Sequence, residues 1–290
     1  MLQKESDVYS KYREKLRSIF EENNQHLSIE MLEEFENYLR DNWSVDDIKL
    51  YRYSKADYFN VRNFETGKIK LTSNGVLNDI FEGLPQGIND EQINSINDIV
   101  YMKCFSTDQH NALMWSHYAD ENKGICVEYD LGILEHSNPI LKHIYPVIYE
   151  KNRLFKLDVK EISEIVEEQK WLNYDIKQNG ISNYDDLLQA LLLFLFKSED
   201  WAYENEWRIV FSKADLYLND FVDFSNLLID FDCATGIYLG YRINPEIKKN
   251  IIEIVDRINS QRKIEYRDGI SVYEMRLRND TYNFEPYKIK

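Results

Sequence analysis

The spacing of apolar residues changes character near position 45, and that change limits the folds open to this chain. Over residues 8–40, Tyr9, Tyr12, Leu16, Ile19 and Phe20, then Ile29, Leu32, Phe35 and Leu39, recur at three- and four-residue intervals with charges between them. That is the period of helices with one buried face, interrupted near Asn23–His26. From Ile48 onward, short runs of strand length take over: Ile48–Tyr53, Ile69–Thr72, Val100–Phe105, Gly124–Tyr129, Ile144–Tyr149, Glu206–Phe211, Ile237–Tyr241, Lys263–Tyr266 and Val272–Leu277. Helices are expected between them at Phe59–Phe64 and Ala112–Tyr118, over most of 157–197, and at Pro245–Ile258. Strands and helices mixed in this way predict an α+β fold, a mixed central sheet with flanking helices plus an N-terminal helical extension. The expected division is 1–45 for the extension and 46–290 for the α+β domain.

Charge narrows the partners. With 35 basic and 51 acidic residues the formal charge is −16, which opposes coating a nucleic-acid backbone or adsorbing to anionic lipid. Cys104, Cys126 and Cys233 are far apart with no CxxC, so a disulfide framework and a cysteine-rich zinc site are not expected, and a reducing compartment is. Met1–Tyr9 is polar, and the apolar run Ala190–Phe196 is shorter than the ~20 residues a membrane helix needs. A cytoplasmic protein without a membrane partner is the expectation.

Several side chains could carry chemistry. Glu204 and Glu206 are two apart, so on a strand both carboxylates would leave the same face and raise one another's pKa; an exposed face paired with lysine or arginine is the alternative. Trp201, Tyr203 and Trp207 beside them could wall a planar ring. Arg52, between Tyr51 and Tyr53 in an apolar strand, must find a partner: the phosphate or carboxylate of a ligand, or a carboxylate from the chain's own acidic surplus. Asn78-Asp79 before Phe81-Glu82 could serve a site or simply start a helix. His117 stands beside Trp115 and Tyr118, but His110 is seven residues away, which is not zinc spacing. Nucleophile-elbow, dinucleotide-fingerprint and Walker sequences are absent, which removes the hydrolase, Rossmann and P-loop readings that depend on them.

Taken in order, Leu50–Tyr53, Asn78–Glu82, Met114–Ala119 with Gly124, and Trp201–Arg208 resemble a bacterial family of unknown function, DUF2971. The resemblance covers roughly 48–277 and leaves the 8–40 helices outside. Arg52 stands where that family usually has lysine, and Ile80 where it has proline. The order of a Tyr-Arg strand, a short helix with Gly67, a strand closing in Thr72-Ser73, and a late Glu-x-Glu strand further resembles the ADP-ribosyltransferase plan. That resemblance implies NAD as substrate. Arg52 would anchor it, Ser73 would support the pocket, Trp115 or Tyr118 would stack on nicotinamide, and Glu206 would be catalytic with Glu204 assisting. Tyr51, Tyr53, Asn78, Asp79 and His117 complete the candidate NAD-binding set. The implied function is an NAD-dependent ADP-ribosyltransferase or NAD glycohydrolase acting on an unknown macromolecular acceptor, with a role in anti-phage defence. Two alternatives stay open: a non-catalytic nucleotide- or peptide-binding module whose N-terminal helices dock a partner or a second copy, and a metal-dependent hydrolase or nuclease using Asp79, Glu82, Glu204 and Glu206.

Overall fold

The computed structural model describes residues 7–22, 29–43, 48–73, 79, 100–135, 137–152, 194–212, 222–223 and 226–290. Along the chain these form α1 (Asp7–Glu22), α2 (Ile29–Trp43), β1 (Lys49–Ser54), α3 (Tyr58–Glu65), β2 (Lys68–Lys70), β3 (Thr72–Ser73) and β4 (Val100–Ser106). There follow α4 (Ala112–Tyr118), β5 (Ile125–Asp130), β6 (Ile144–Pro146), β7 (Ile148–Glu150), β8 (Phe196–Ser198) and β9 (Glu206–Ser212). The last are β10 (Val222–Asp223), β11 (Leu228–Asp230), β12 (Ala234–Leu239), α5 (Pro245–Ile264), β13 (Ser271–Leu277) and β14 (Phe284–Lys288). The fold is α+β around a mixed sheet of order β14-β13-β12-β5-β1-β4-β9-β6, with β3 also paired to β4.

Within that sheet the parallel pair is β12–β13, and the connection between them contains α5, as a parallel crossover requires. Asn244 caps α5 by accepting from the amides of Glu246 and Ile247, and Pro245 opens its first turn, both ordinary start signals. Ile251, Ile254 and Val255 of this helix are buried. The expected strand Lys263–Tyr266 is instead the end of α5 and the turn after it. The helical period runs on to Arg262, which is buried and donates to Ala234 O at 2.7 Å and Asp232 Oδ1 at 2.7 Å. The expected strand Ile144–Tyr149 is two strands, because the chain follows β9 only as far as Val147; Ile148 turns its N–H to Leu195 O at 2.7 Å, and Ile148–Glu150 pairs with β8. Of the 157–197 helical expectation, 157–193 lies outside the described residues, while Phe196 and Lys197 start β8.

The N-terminal helices share the main core. Tyr12, Leu16, Ile19 and Phe20 of α1 and Met31, Phe35 and Leu39 of α2 are buried in one apolar cluster with Ile144, Ile148, Trp207 and Ile209 of the sheet region. Trp207 meets Tyr9 and Tyr12 edge-on, with centroids 6.4 and 5.8 Å apart, and Arg13 Nε donates to Val147 O at 2.6 Å. The expected helical extension is therefore a layer on the sheet, joined to it by apolar packing, and does not stand apart. A second, smaller apolar cluster joins Tyr51, Tyr53, Met114, Trp115, Cys126, Tyr238, Met275 and Phe284. Among the described residues no helix is long and apolar enough to cross a membrane.

Candidate functional site

The sheet has a gap beside β4. On one edge β4 pairs with β9 along its length, from Val100↔Ser212 to Ser106↔Glu206. On its other edge it meets β1 only at Tyr51↔Ser106 and β3 at Thr72↔Met102 and Ser73↔Tyr101. Lys103–Phe105 thus face no partner strand there among the described residues, and a cavity of about 230 Å³ occupies the space. Its walls are Tyr51, Arg52 and Tyr53 of β1, Thr72 of β3, Lys103–Ser106 of β4, Met114 and Tyr118 of α4, Lys197 of β8, and Glu204 and Glu206. Neighbouring residues of a strand point to opposite faces, so a cavity lined by consecutive residues of two strands runs between them.

Glu204 and Glu206 do meet, but not by strand alternation. Glu204 ends a 3₁₀ turn, Glu199–Glu204, and Glu206 begins β9; Asn205 between them is left-handed, with φ 46° and ψ 52°. Asparagine tolerates that conformation better than most residues. Both carboxylates converge on Lys197, whose Nζ lies 2.6 Å from Glu204 Oε2 and 3.2 Å from Glu206 Oε2. Arg208 donates Nε and Nη2 to the two oxygens of Glu206, each at 2.8 Å, and Nη1 to Phe194 O at 2.7 Å. Tyr118 donates its hydroxyl to Glu204 Oε1. The Ser106 hydroxyl holds the Glu204 carbonyl at 2.7 Å, and the Glu206 N–H donates to the Tyr149 hydroxyl at 2.7 Å. Arg208 is 0% exposed, Glu204 2% and Glu206 4%.

These contacts separate the two acids. Burial alone would raise the pKa of Glu206, but the charges of Arg208 and then Lys197 overcome it and hold it well below the usual carboxylate range. For Glu204, burial and then the negative charge of Glu206 push the pKa up to about 7, against the pull of Lys197 and Tyr118. At neutral pH the pair therefore keeps one fixed negative charge and one exchangeable proton.

The facing wall carries cations and tyrosines. Arg52 donates Nη1 to Tyr53 O, while its buried Nε has no partner among the described residues. No described carboxylate pairs with it. Tyr51 is held from behind by Glu128, which accepts its hydroxyl at 3.2 Å together with those of Tyr238 at 2.7 Å and Thr235 at 2.7 Å. Tyr53 donates to Asp108 O at 2.6 Å.

Other expected site residues stand elsewhere. Trp115 is 1% exposed, donates Nε1 to Gln109 O at 2.8 Å, and meets Tyr53 and Phe284 edge-on. It is core beneath Tyr53 and offers no face for stacking on a ligand. His117 is exposed on α4 outside the cavity wall. Ser73 pairs with Tyr101, and its neighbour Thr72 lines the cavity instead. Asp79 is buried but not part of the wall, and Asn78 and Glu82 lie outside the described residues. Trp207 is buried against Tyr9 and Tyr12, so it is no part of a ring-binding wall. Among the described residues no three His, Cys, Asp or Glu side chains stand together as metal ligands; the oxygens of Glu204 and Glu206 take Lys197, Arg208 and Tyr118.

The turn after α4 fixes this geometry. Asp120, Glu121 and Asn122 all have positive φ, Asn122 N donates to Trp115 O at 3.1 Å, and a Cβ on Gly124 would lie 2.2 Å from Ser54 O. The turn is thus pressed against β1, and only glycine allows so close an approach. Lys103, Lys197, Tyr149 and Glu128 were not expected at the site. The signal for the two lysines was available: each is a lone charge at or within an apolar run, the feature that drew attention to Arg52.

No curated protein and no solved structure matches the chain. Residues 114–209, which include most of α4 with its turn, the Glu204–Glu206 pair and Arg208, match the family DUF2971, described as a protein of unknown function.

Proposed function

We propose that the chain is an NAD-consuming enzyme, an ADP-ribosyltransferase or NAD glycohydrolase, that works in the cavity beside β4 with Glu204 as its proton acceptor. One observation carries the reading. A single cavity gathers Arg52, Tyr51, Tyr53, Tyr118 and the carboxylate pair, and within that pair Glu204 has the proton that exchanges near neutral pH.

The chemistry follows from those groups. The bond between C1′ of the ribose and the nicotinamide nitrogen breaks, its electron pair leaves with neutral nicotinamide, and positive charge develops on the sugar. An acceptor hydroxyl or water adds to C1′ and gives its proton to Glu204. A base with a pKa near the working pH is the efficient choice for that transfer. Developing positive charge also favours the ionised form of Glu204. Glu206, bound by Arg208 and Lys197, is a positioning residue that sets the proton affinity of Glu204; the roles implied by resemblance are exchanged. A cavity of about 230 Å³ is smaller than the roughly 300–1,000 Å³ of pockets that enclose drug-sized ligands. It suits the nicotinamide riboside end, with the adenylate outside. The α+β mixed sheet is compatible with an ADP-ribosyltransferase-like plan, an argument by analogy, and a role in anti-phage defence rests on the same analogy.

The test is nicotinamide release from NAD by wild type, Glu204→Gln and Glu206→Gln, with and without EDTA. The expected result is EDTA-insensitive release by wild type and a loss of roughly 10²-fold or more in Glu204→Gln, which stays folded with a melting temperature lowered by only a few degrees. No release together with no thermal shift by NAD overturns the reading. A shift without turnover favours the binding module, and release abolished by EDTA favours the metal-dependent hydrolase.

A further inference from the structure

We infer that Lys103 is an anion-binding residue which, with Arg52, forms a two-cation subsite for a phosphate group of the substrate in the gap between β1 and β4. The inference deepens the nucleotide reading above and rests on it for the identity of the molecule that carries the phosphate.

In a chain of net charge −16 a basic side chain should find an acid easily, and the others do: Lys197 pairs with Glu204 and Glu206, Arg208 with Glu206, and Arg262 with Asp232. Lys103 is 9% exposed and lines the cavity, yet it has no hydrogen bond or ion pair among the described residues. Arg52, across the gap on β1, leaves its buried Nε without a partner among the described residues. A buried basic group with no counter-charge is costly to ionise, and an anion beside it removes that cost. Two basic groups without an acid beside one cavity suit a ligand with more than one negative oxygen. A phosphate suits the arginine fork and the point charge of the lysine together.

The surroundings of the amine give the subsite a signature. Burial, then Arg52, and more weakly Lys70 of β2, disfavour its charged form; Cys104 on the same strand favours it. The acids of the same cavity, Glu204 and Glu206, are engaged by Lys197, Arg208 and Tyr118. Burial and Arg52 lower the pKa of the amine and a phosphate beside it raises the pKa again, so whatever fraction stands neutral takes up a proton on binding.

The test is calorimetric titration of the full chain with ADP, inorganic pyrophosphate and adenosine, in two buffers of different ionisation enthalpy, for wild type, Lys103→Met and Lys103→Gln. Methionine removes a buried charge while keeping the volume, so the melting temperature should hold; the glutamine variant carries the comparison if it does not. Wild type should bind ADP and pyrophosphate with proton uptake and bind adenosine more weakly than ADP. Lys103→Met should weaken ADP roughly 10- to 100-fold, lose the proton uptake and leave adenosine unchanged. Pyrophosphate binding that matches ADP assigns recognition to the phosphates alone. Unchanged ADP affinity in a folded Lys103 variant overturns the proposal. The two readings fail separately: ADP binding as described without NAD turnover removes the NAD enzyme and keeps the subsite, whereas NAD turnover with an unchanged KM in Lys103→Met removes the subsite and keeps the enzyme.

Discussion

Glutamine at position 206 should destabilise the protein strongly, apart from any effect on catalysis. Arg208 is fully buried and places two guanidinium nitrogens 2.8 Å from the Glu206 oxygens. Glu206→Gln keeps the shape but replaces one accepting oxygen with an NH₂ group facing a donor, and it removes the counter-charge from a cation that stays buried. Breaking a buried pair from one side costs about 3–5 kcal/mol. At about 2–4 °C per kcal/mol for a chain of this size class, the melting temperature should fall by roughly 6–20 °C. Glu204→Gln differs, because a carboxyl with a pKa of about 7 is already half neutral at neutral pH and glutamine resembles that form. Its cost should be about 1–2 kcal/mol, that of weakening the bonds to Lys197 and Tyr118. Urea and thermal denaturation of both variants at pH 7 give the comparison. Glu206→Gln within about 1 kcal/mol of wild type, or less harmful than Glu204→Gln, would refute the assignment of one acid to the scaffold and the other to the chemistry.

Other outcomes follow from the same geometry. Because the Glu204 pKa rises on folding from 4.5 to about 7, the folded state binds the extra proton between those values. Stability should then decline by about 3 kcal/mol as pH rises through that window. The stabilisation from Glu206, whose pKa is lowered on folding, is instead full above its unfolded value and lost in acid. Urea midpoints from pH 4.5 to 7.5 should show the decline in wild type and a flatter line in Glu204→Gln; equal slopes contradict it. Tyr118→Phe removes a bond that favours ionised Glu204, so the acid limb of the activity profile should move to higher pH, and a shift the other way counts against Glu204 as base. Asn205→Val must adopt φ 46° and should cost about 1–2 kcal/mol, while Asn205→Gly should be tolerated, both read from urea midpoints. Gly124→Ala drives a Cβ to 2.2 Å from Ser54 O and should cost at least ~1–3 kcal/mol, seen as a lower melting temperature.

How far the sequence could be read depended on how far each signal reached. The helical period of α1 and α2 and the apolar runs of β1, β4, β5, β9 and β13 were legible because burial on one or both faces writes itself into many residues. Lys263–Tyr266 was misread because four residues are too few to separate strand alternation from the last turn of a helix, and only the tertiary bond from Arg262 to Ala234 O decides it. The carboxylate pair was visible as a pair, but its geometry was not: a single left-handed Asn205 brings the two acids together where a strand was expected. Trp115 and His117 stand two apart in one short helix, one in the core and one exposed, and the motif alone does not give the facing direction. Lys103 and Lys197 were passed over although they obey the rule applied to Arg52: a lone charge within or beside an apolar run must be answered by something. That the N-terminal helices lie on Trp207 is a long-range contact that no local period encodes.

The central claim is that the gap beside β4 is where NAD sits. A crystal structure of Glu204→Gln soaked with NAD tests it most directly, since that variant should fold and hold substrate without consuming it. The account expects the nicotinamide riboside between Tyr51–Tyr53 and position 204, with the diphosphate on Arg52 and Lys103. NAD bound at another surface, or the gap still empty at a concentration that shifts the melting temperature, would contradict it.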